Sequence, residues 1–361
     1  SNYEVSCPSQ INNKGRVVGR ALYVPTSADD PRQFWQSAFL WENGVMTFFY
    51  TGEAGTPILS EAWGINDSGE IAGGADGSGA IWDGGVMTEA RSTGGTAPTW
   101  RLVDINERGE AVGAAGVSGL KAFIWRDGEA QWLRTPEEMS SRAVAINNAS
   151  AVVGCAGNTG ATAHAVLWKD GSMIDLGTAG GDASWALDIN DKGQVLGHGY
   201  DASRQMRSFL WENGERIDLG RADYVSSRGD DGLRYDGFVS INNSGDAVGS
   251  MSRMSRTRLK DIVPLMLSFF GTPWVRTRHH AACIRKDGVV YDLNDCLVNG
   301  DPDWILEYAT AISDSGQIVG MGYGKNGRYG FVLTPANGQA AKLRPQGAAD
   351  TTYKRKTGKD I

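Results

Sequence analysis

Apolar and polar positions alternate in short runs along this 361-residue chain, and the alternation restarts seven times at an Ile-Asn pair, once Ile-Ser. The pairs begin at Ile11, Ile65, Ile105, Ile146, Ile189, Ile241 and Ile312. An apolar run leads into each Ile, a polar turn of the Asn-Asp-x-Gly type follows, and a second apolar run ends in Gly19, Gly73, Gly113, Gly154, Gly197, Gly249 or Gly320. A third run of the type Ala-Phe-Leu-Trp, a tight turn ending in Gly and a fourth run such as MIDLG at 173–177 complete each unit. Short apolar runs bounded by Gly, Asn and Asp read as strands. Recurrence at about 40 to 70 residues marks a repeat architecture. One four-stranded antiparallel unit cannot cover both of its faces, whereas seven stacked radially can, so the pattern predicts an all-β, seven-bladed β-propeller. The blades begin near residues 5, 60, 100, 141, 184, 236 and 307, the sixth carries an insertion over 250–280, and the propeller ends near 345. The polar, basic stretch 346–361 reads as a disordered tail.

The repeated residues read first as scaffold. Asn tolerates the left-handed backbone region and Gly enters it freely, which suits the turn after each Ile-Asn. Trp41, Trp82, Trp125, Trp168 and Trp211 end five of the third strands, with Ile284 and Leu333 in the last two, and are expected to pack between blades. The glycines ending the second strands are expected where backbones approach closely.

The Ile-Asn-Asp-x-Gly-x-x-Val-Gly unit followed by Ala-Phe-Leu-Trp resembles the HAF-type extracellular repeat of bacterial proteins, most closely over 292–333 (DLNDCL, ISDSGQIVG, GFVLTP). The resemblance covers roughly residues 5–345 and implies a propeller in an exported protein, extracellular or periplasmic, without fixing an activity. At the level of fold alone the chain is also similar to seven-bladed propeller lyases that cleave ulvan and related uronic-acid polysaccharides.

Composition narrows the partners. The 49 glycines suit many tight turns, and the net charge of -7 argues against nucleic acid and acidic membranes as partners of the whole molecule. No stretch of about 20 apolar residues is present to span a membrane. The sequence shows no signal peptide, which fits a trimmed mature chain or a cytoplasmic origin, and the resemblance to the HAF-type repeat favours the former. Cys7 and Cys155 fall in separate blades. A Cys283–Cys296 disulfide requires a connector to fold back, and a zinc site of His279 or His280 with Cys283 and Cys296 matches no standard spacing. Asp230, Asp231, Asp236, Asp301 and Asp303 are weak calcium candidates. No cofactor is expected, structural zinc or calcium being the alternative.

Candidate chemistry gathers on one face. Turns between strands one and two and between three and four are short, whereas second-to-third loops and blade connectors are long and share the opposite face, here called the top. Trp35, Trp100, Trp185, Trp274 and Trp304 lie in those top segments, and flat rings beside polar groups suit sugar faces. Segments 198–207, 219–236 and 250–280 hold eleven Lys or Arg, Arg204 among them, against six Asp, a local field suited to a polyanion. The apolar centre of 250–280 also suggests a protein contact.

Four residues before the repeat Ile, Arg101, Arg142, Trp185, Tyr308 and Glu61 share one register at the rim of the central channel. His164 and His280 read as equivalent positions before the third strands, and His198 with Tyr200 follows the second strand of blade 5. Cleaving a uronate chain by β-elimination needs a neutralised carboxylate, a base for the C5 proton and an acid for the leaving O4. Arg142 or Arg204 could neutralise, His164 or His198 take the proton, and Tyr200 or Tyr235 donate. Paired carboxylates for hydrolysis, a GxSxG serine and a P-loop are absent. The expectation is a secreted propeller that binds an acidic polysaccharide through Arg101, Trp100, Trp185, Tyr235, Tyr308, Trp304, His280 and Trp274. The alternatives are a polysaccharide lyase and a non-enzymatic docking module.

Overall fold

A computed structural model describes residues 3–23, 36–49, 59–90, 101–116, 119–136, 139–157, 162–221, 224–225, 234–235, 237–258, 274–297, 304–324 and 327–335. Blade 1 consists of Tyr3–Ile11, Val17–Tyr23, Gln36–Glu42 and Val45–Phe49; blade 2 of Ser60–Ile65, Ile71–Ala75, Ser78–Asp83 and Val86–Ala90. Blade 3 is Arg101–Ile105, Ala111–Ala115, Lys121–Arg126 and Glu129–Trp132; blade 4 is Ser141–Ile146, Val152–Ala156, His164–Lys169 and Ser172–Asp175. Blade 5 is Gly180–Ile189, Val195–Asp201, Met206–Glu212 and Glu215–Arg221; blade 6 is Gly237–Ile241, Ala247–Arg258, Trp274–Lys286 and Val289–Asp292. Blade 7 shows Ile305–Ile312, Ile318–Gly324 and Gly327–Leu333 among the described residues. A two-stranded ribbon, Tyr224–Val225 with Arg234–Tyr235, lies in the connector between blades 5 and 6.

Every blade is an antiparallel meander in chain order. Each first strand packs against the first strands of both neighbours, which places the first strands around a central axis and makes the chain a seven-bladed β-propeller. The core is accordingly seven separate clusters, one at each blade interface. Trp82, Trp125 and Trp168 are buried in three of them, and Trp41 and Trp211 pack against two others. The first strand of blade 1 closes the ring against blade 7, where Gly330 N donates to Ser6 Oγ at 3.3 Å and Thr310 Oγ1 donates to Pro8 O at 3.0 Å.

The Ile-Asn pair turns out to be a fastener between blades. The expected left-handed Asn does not occur at these positions; Gly15, Gly69, Gly109, Gly193, Gly245 and Gly316 take the positive φ, with Ser150 in blade 4. Asn12 Oδ1 instead accepts from Lys14 N and Arg16 N, and its Nδ2 donates to Asn66 O in the next blade at 2.9 Å. The same link runs Asn66 to Asn106, Asn106 to Asn147, Asn147 to Asn190, Asn190 to Asn242 and Asn242 to Ser313. A second circle, one residue later, is complete. The N–H groups of Asn13, Asp67, Glu107, Asn148, Asp191, Asn243 and Asp314 each donate to the side chain of the next member, and Asp314 N returns to Asn13 Oδ1.

Strand register corrects two sequence equivalences. Arg285, not Ile284, pairs with Ala247 where Trp168 pairs with Val152, so blade 6 has Arg at the Trp position. His280 pairs with Ser252 and Ala281 with Met251, whereas His164 pairs with Ala156; His164 therefore matches Ala281. A one-residue slip turns a side chain to the opposite face of a sheet, so the two imidazoles do not point alike. Within the 250–280 insertion, strand runs out to Arg258 and back from Trp274.

Candidate functional site

One backbone device builds the rim of the channel in all seven blades. Each first strand carries a β-bulge two residues before its Ile, at Ser9, Trp63, Val103, Val144, Leu187, Val239 and Thr310. The bulge drives the carbonyl of the rim residue against the Gly of the second strand. A Cβ on Gly154 would stand 1.9 Å from Arg142 O, and one on Gly73 2.0 Å from Glu61 O. These glycines are thus the close approaches expected from the sequence. Round the ring the rim positions hold Cys7, Glu61, Arg101, Arg142, Trp185, Gly237 and Tyr308.

Glu61 organises the sector of blades 1 to 3. Its carboxylate accepts from Gln36 Nε2 at 2.6 Å, Trp63 Nε1 at 3.1 Å and Arg20 at 3.3 Å, with Arg101 3.5 Å away. Arg20 and Arg101 both lie over the Trp63 ring, at 5.4 and 5.9 Å. Arg101 is therefore already partly neutralised. Arg142, one blade further on, is exposed, and its side chain has no hydrogen bond or ion pair among the described residues. Its strand partner is Cys155, whose thiol burial pushes upward in pKa although the Arg142 charge opposes this.

Trp185 stands in the same register on blade 5, half-buried, with Tyr200 edge-on at 5.6 Å. Its strand partner His198 does not join it on the surface. The imidazole is 2 % exposed, its Nε2 lies 2.9 Å from Phe238 O, and burial depresses its pKa to about 4. His198 belongs to the seam between blades 5 and 6, which corrects its assignment as a base. His164 is held by Asp175 at 2.8 Å between third and outer strands. Arg207 and Asp218 repeat that pair in blade 5, so it recurs as a scaffold element. Arg204 sits at the tip of a tight turn, 85 % exposed, with Asp182 3.6 Å away.

On the far side, His280 stacks on Tyr308 at 5.4 Å, and Arg328 lies over Tyr308 and Tyr323 while donating to Glu307 at 2.9 Å. Trp304 leans on Tyr329 at 6.1 Å. Inside the channel wall, Gln10, Asp104 and Asp188 cap the free N–H groups of Ile65, Ile146 and Ile241 on the next blades. Burial first, and Asp188 further, raise Asp104 to about 7.

The remaining expectations divide. Trp35, Trp100 and the aspartates of the calcium proposal, 230, 231, 236, 301 and 303, lie outside the described residues, as does the tail; Tyr235, Trp274 and His279 are described as backbone in strands. Cys7, Cys155, Cys283 and Cys296 form no disulfide. Cys283 is buried among Leu196, Leu210 and Phe238, and Cys296 Sγ contacts Asp292 O, so the two do not converge on a zinc site. Among the described residues no group of three His, Cys, Asp or Glu could hold a metal ion, and no helix is long and apolar enough to cross a membrane. Sequence reasoning missed Arg20, Trp63, Glu307 and Arg328. Arg20 was findable, because the residue after each second-strand Gly pairs with the rim residue, as Arg20 does with Cys7.

No protein-family model matches the chain, and no curated protein matches it. Solved structures do. The chain is similar to a puromycin-hydrolyzing peptidase of Mycobacterium tuberculosis (10 % identity, TM-score 0.54, 97 % of this chain and 54 % of that one). It is similar also to the β-propeller domain of the Trilobed protease of Pyrococcus furiosus, reported with an open velcro topology (10 %, TM-score 0.50, 92 % and 94 %). TolB from Acinetobacter baumannii matches at 13 % identity and TM-score 0.43, over 75 % of this chain and 61 % of that one. The chain thus spans only 54 to 61 % of the length of two of these relatives, and the likeness is one of fold.

Proposed function

We propose that the chain is an exported propeller that binds an acidic polysaccharide across the top rim of its channel. The observation that carries this reading is Arg142, an exposed guanidinium with no acidic partner among the described residues, next in the ring to Trp185 and its companion Tyr200. Arg grips a carboxylate or sulfate through two parallel hydrogen bonds, and a half-buried indole offers a flat face to a sugar ring. Arg101, Arg20 and Arg328 have carboxylates nearby, so Arg142 is the position at which a ligand anion displaces no internal partner. The resemblance to the HAF-type repeat supports export.

Binding is favoured over β-elimination by the state of the imidazoles, since His198 is sealed in a blade seam and His164 is engaged by Asp175. Retention on a panel of immobilised acidic polysaccharides, with ultraviolet absorbance of unsaturated uronate followed on the same polymers, tests the reading. Retention without absorbance is expected. Absorbance that grows with enzyme concentration replaces the binder with a lyase, and no retention on any polymer leaves a docking module.

A further inference from the structure

Beneath the rim the first strands carry a second ring of side chains that the core leaves partly uncovered. The seven bulge residues are each partly exposed, whereas the residue before each of them is buried. First strands stand around the axis, so what remains accessible in mid-strand opens on the channel. Five of the seven are apolar, Trp63, Val103, Val144, Leu187 and Val239, and only those of blades 7 and 1 are polar. Among the described residues Trp63, Val144, Leu187 and Val239 join none of the seven interface clusters, so part of their apolar surface is left to the channel. At 3.4 Å per residue this collar lies about 7 Å below the rim. Trp63 rises from it to the rim, where its Nε1 donates to Glu61 at 3.1 Å and Arg20 and Arg101 lie over its ring. One residue further down, a polar layer floors the collar. Gln10 of blade 1 donates to Asp104 of blade 3 at 3.1 Å, past Gly64 of blade 2, where a Cβ would stand 2.8 Å from Asp104 Cα. Asp104 and Asp188 act on each other electrostatically from blades 3 and 5, and each accepts a backbone N–H of the next blade.

We infer that the channel beneath the rim is an apolar well for a nonpolar substituent of the acidic sugar, whose anion is held above it at Arg142; the inference rests on the reading of the rim as a glycan site. Charge fixes the orientation. The exposed guanidiniums of Arg101 and Arg142 stand at the mouth and the carboxyl groups of Asp104 and Asp188 at the floor, so an anion is favoured above and opposed below. An aryl or acyl group pointing down the axis covers the collar while the uronate stays at the rim, and the apolar surface it buries adds affinity. A uronate without such a group leaves the collar wet. The rim therefore reads the charge of the sugar, and the collar reads what the sugar carries.

The test is a ligand-observed NMR titration of the full chain with phenyl glucuronide and with methyl glucuronide, which share the uronate and differ in the apolar group. Wild type is compared with Arg142→Ala and with the isosteric collar variant Val103→Thr/Val144→Thr/Val239→Thr, circular dichroism verifying that each is folded. Should the triple variant not fold, Val144→Thr alone carries the comparison. Wild type is expected to bind the phenyl glucuronide about tenfold more tightly than the methyl one, and the collar variant to narrow that ratio about threefold or more. Arg142→Ala is expected to weaken both ligands and keep the ratio. Equal affinity of wild type for the two ligands, binding of neither, or a ratio unchanged in the collar variant overturns the well. Retention of wild type on polygalacturonate in any of those cases leaves the rim reading standing. If Arg142→Ala binds both glucuronides as wild type does while the collar variant narrows the ratio, the rim reading fails and the well stands.

Discussion

The amide of Asp314 donates to Asn13 Oδ1 at 2.7 Å across the seam where the last blade meets the first. This contact completes the outer of two polar circles around the axis, and the inner circle is broken at the same seam because Ser313 has no side-chain amide to donate onward. Restoring the link should strengthen the ring. Ser313→Asn is expected to raise stability by about 1 kcal/mol, the usual net value of one hydrogen bond, seen as a higher midpoint of thermal or urea unfolding. An unchanged or lower midpoint contradicts the role given to the inner circle.

Removing an intact link should cost more than adding one gains. The Asn106 side chain accepts from Arg108 N and Glu110 N and donates to Glu110 and Asn147 O, the last three bonds being buried. Asn106→Ala should cost about 2–4 kcal/mol through the buried groups it strands, measured by equilibrium denaturation.

Two adjacent glycines separate the bulge from ordinary strand. Gly73→Ala puts a methyl 2.0 Å from Glu61 O, whereas Gly74→Ala meets nothing nearer than Ser78 O at 3.3 Å. The first should cost about 3 kcal/mol or more, or prevent folding, and the second less than about 1 kcal/mol. Similar costs at both positions would remove the bulge as the device that sets the rim.

Stability should depend on pH through two buried groups of opposite sense. His198 falls from its ordinary 6.5 to about 4, so the unfolded chain binds the extra proton, and stability present above pH 6.5 is lost as pH falls towards 4. Asp104 rises from 3.8 to about 7, so the folded chain holds the proton, and stability present below pH 3.8 is lost as pH rises through 7. Thermal midpoints across pH should show His198→Gln flattening the acid limb and Asp104→Asn the limb towards pH 8. Limbs unaltered in these variants would place the titration elsewhere.

The blade architecture was legible because its signals are local: period-two runs, turn glycines and a Trp repeated in five of the seven units. The rim register was legible for the same reason, since counting back from Ile105 and Ile146 reaches Arg101 and Arg142 without knowledge of the fold. What escaped depends on contacts between blades. The cross-blade bonds of Asn12 and Asn66 join residues 54 and 40 positions apart. The burial of His198 is set against Phe238 of the next blade, 40 positions on. The His280 slip has a local cause, because Arg285 stands where five other blades carry Trp, and the apolar Ile284 before it mimics the end of the third strand.

The proposed recognition is of a sugar carboxylate by Arg142, which has no acidic partner among the described residues. The direct measurement is calorimetric titration of wild type and Arg142→Ala with hexagalacturonate and with its carboxyl-reduced counterpart. Wild type should prefer the acidic oligomer by about ten- to a hundredfold, the value of a charge-assisted pair, and Arg142→Ala should bind the two alike. Equal affinity of wild type for both, or a preference that survives in Arg142→Ala, contradicts it.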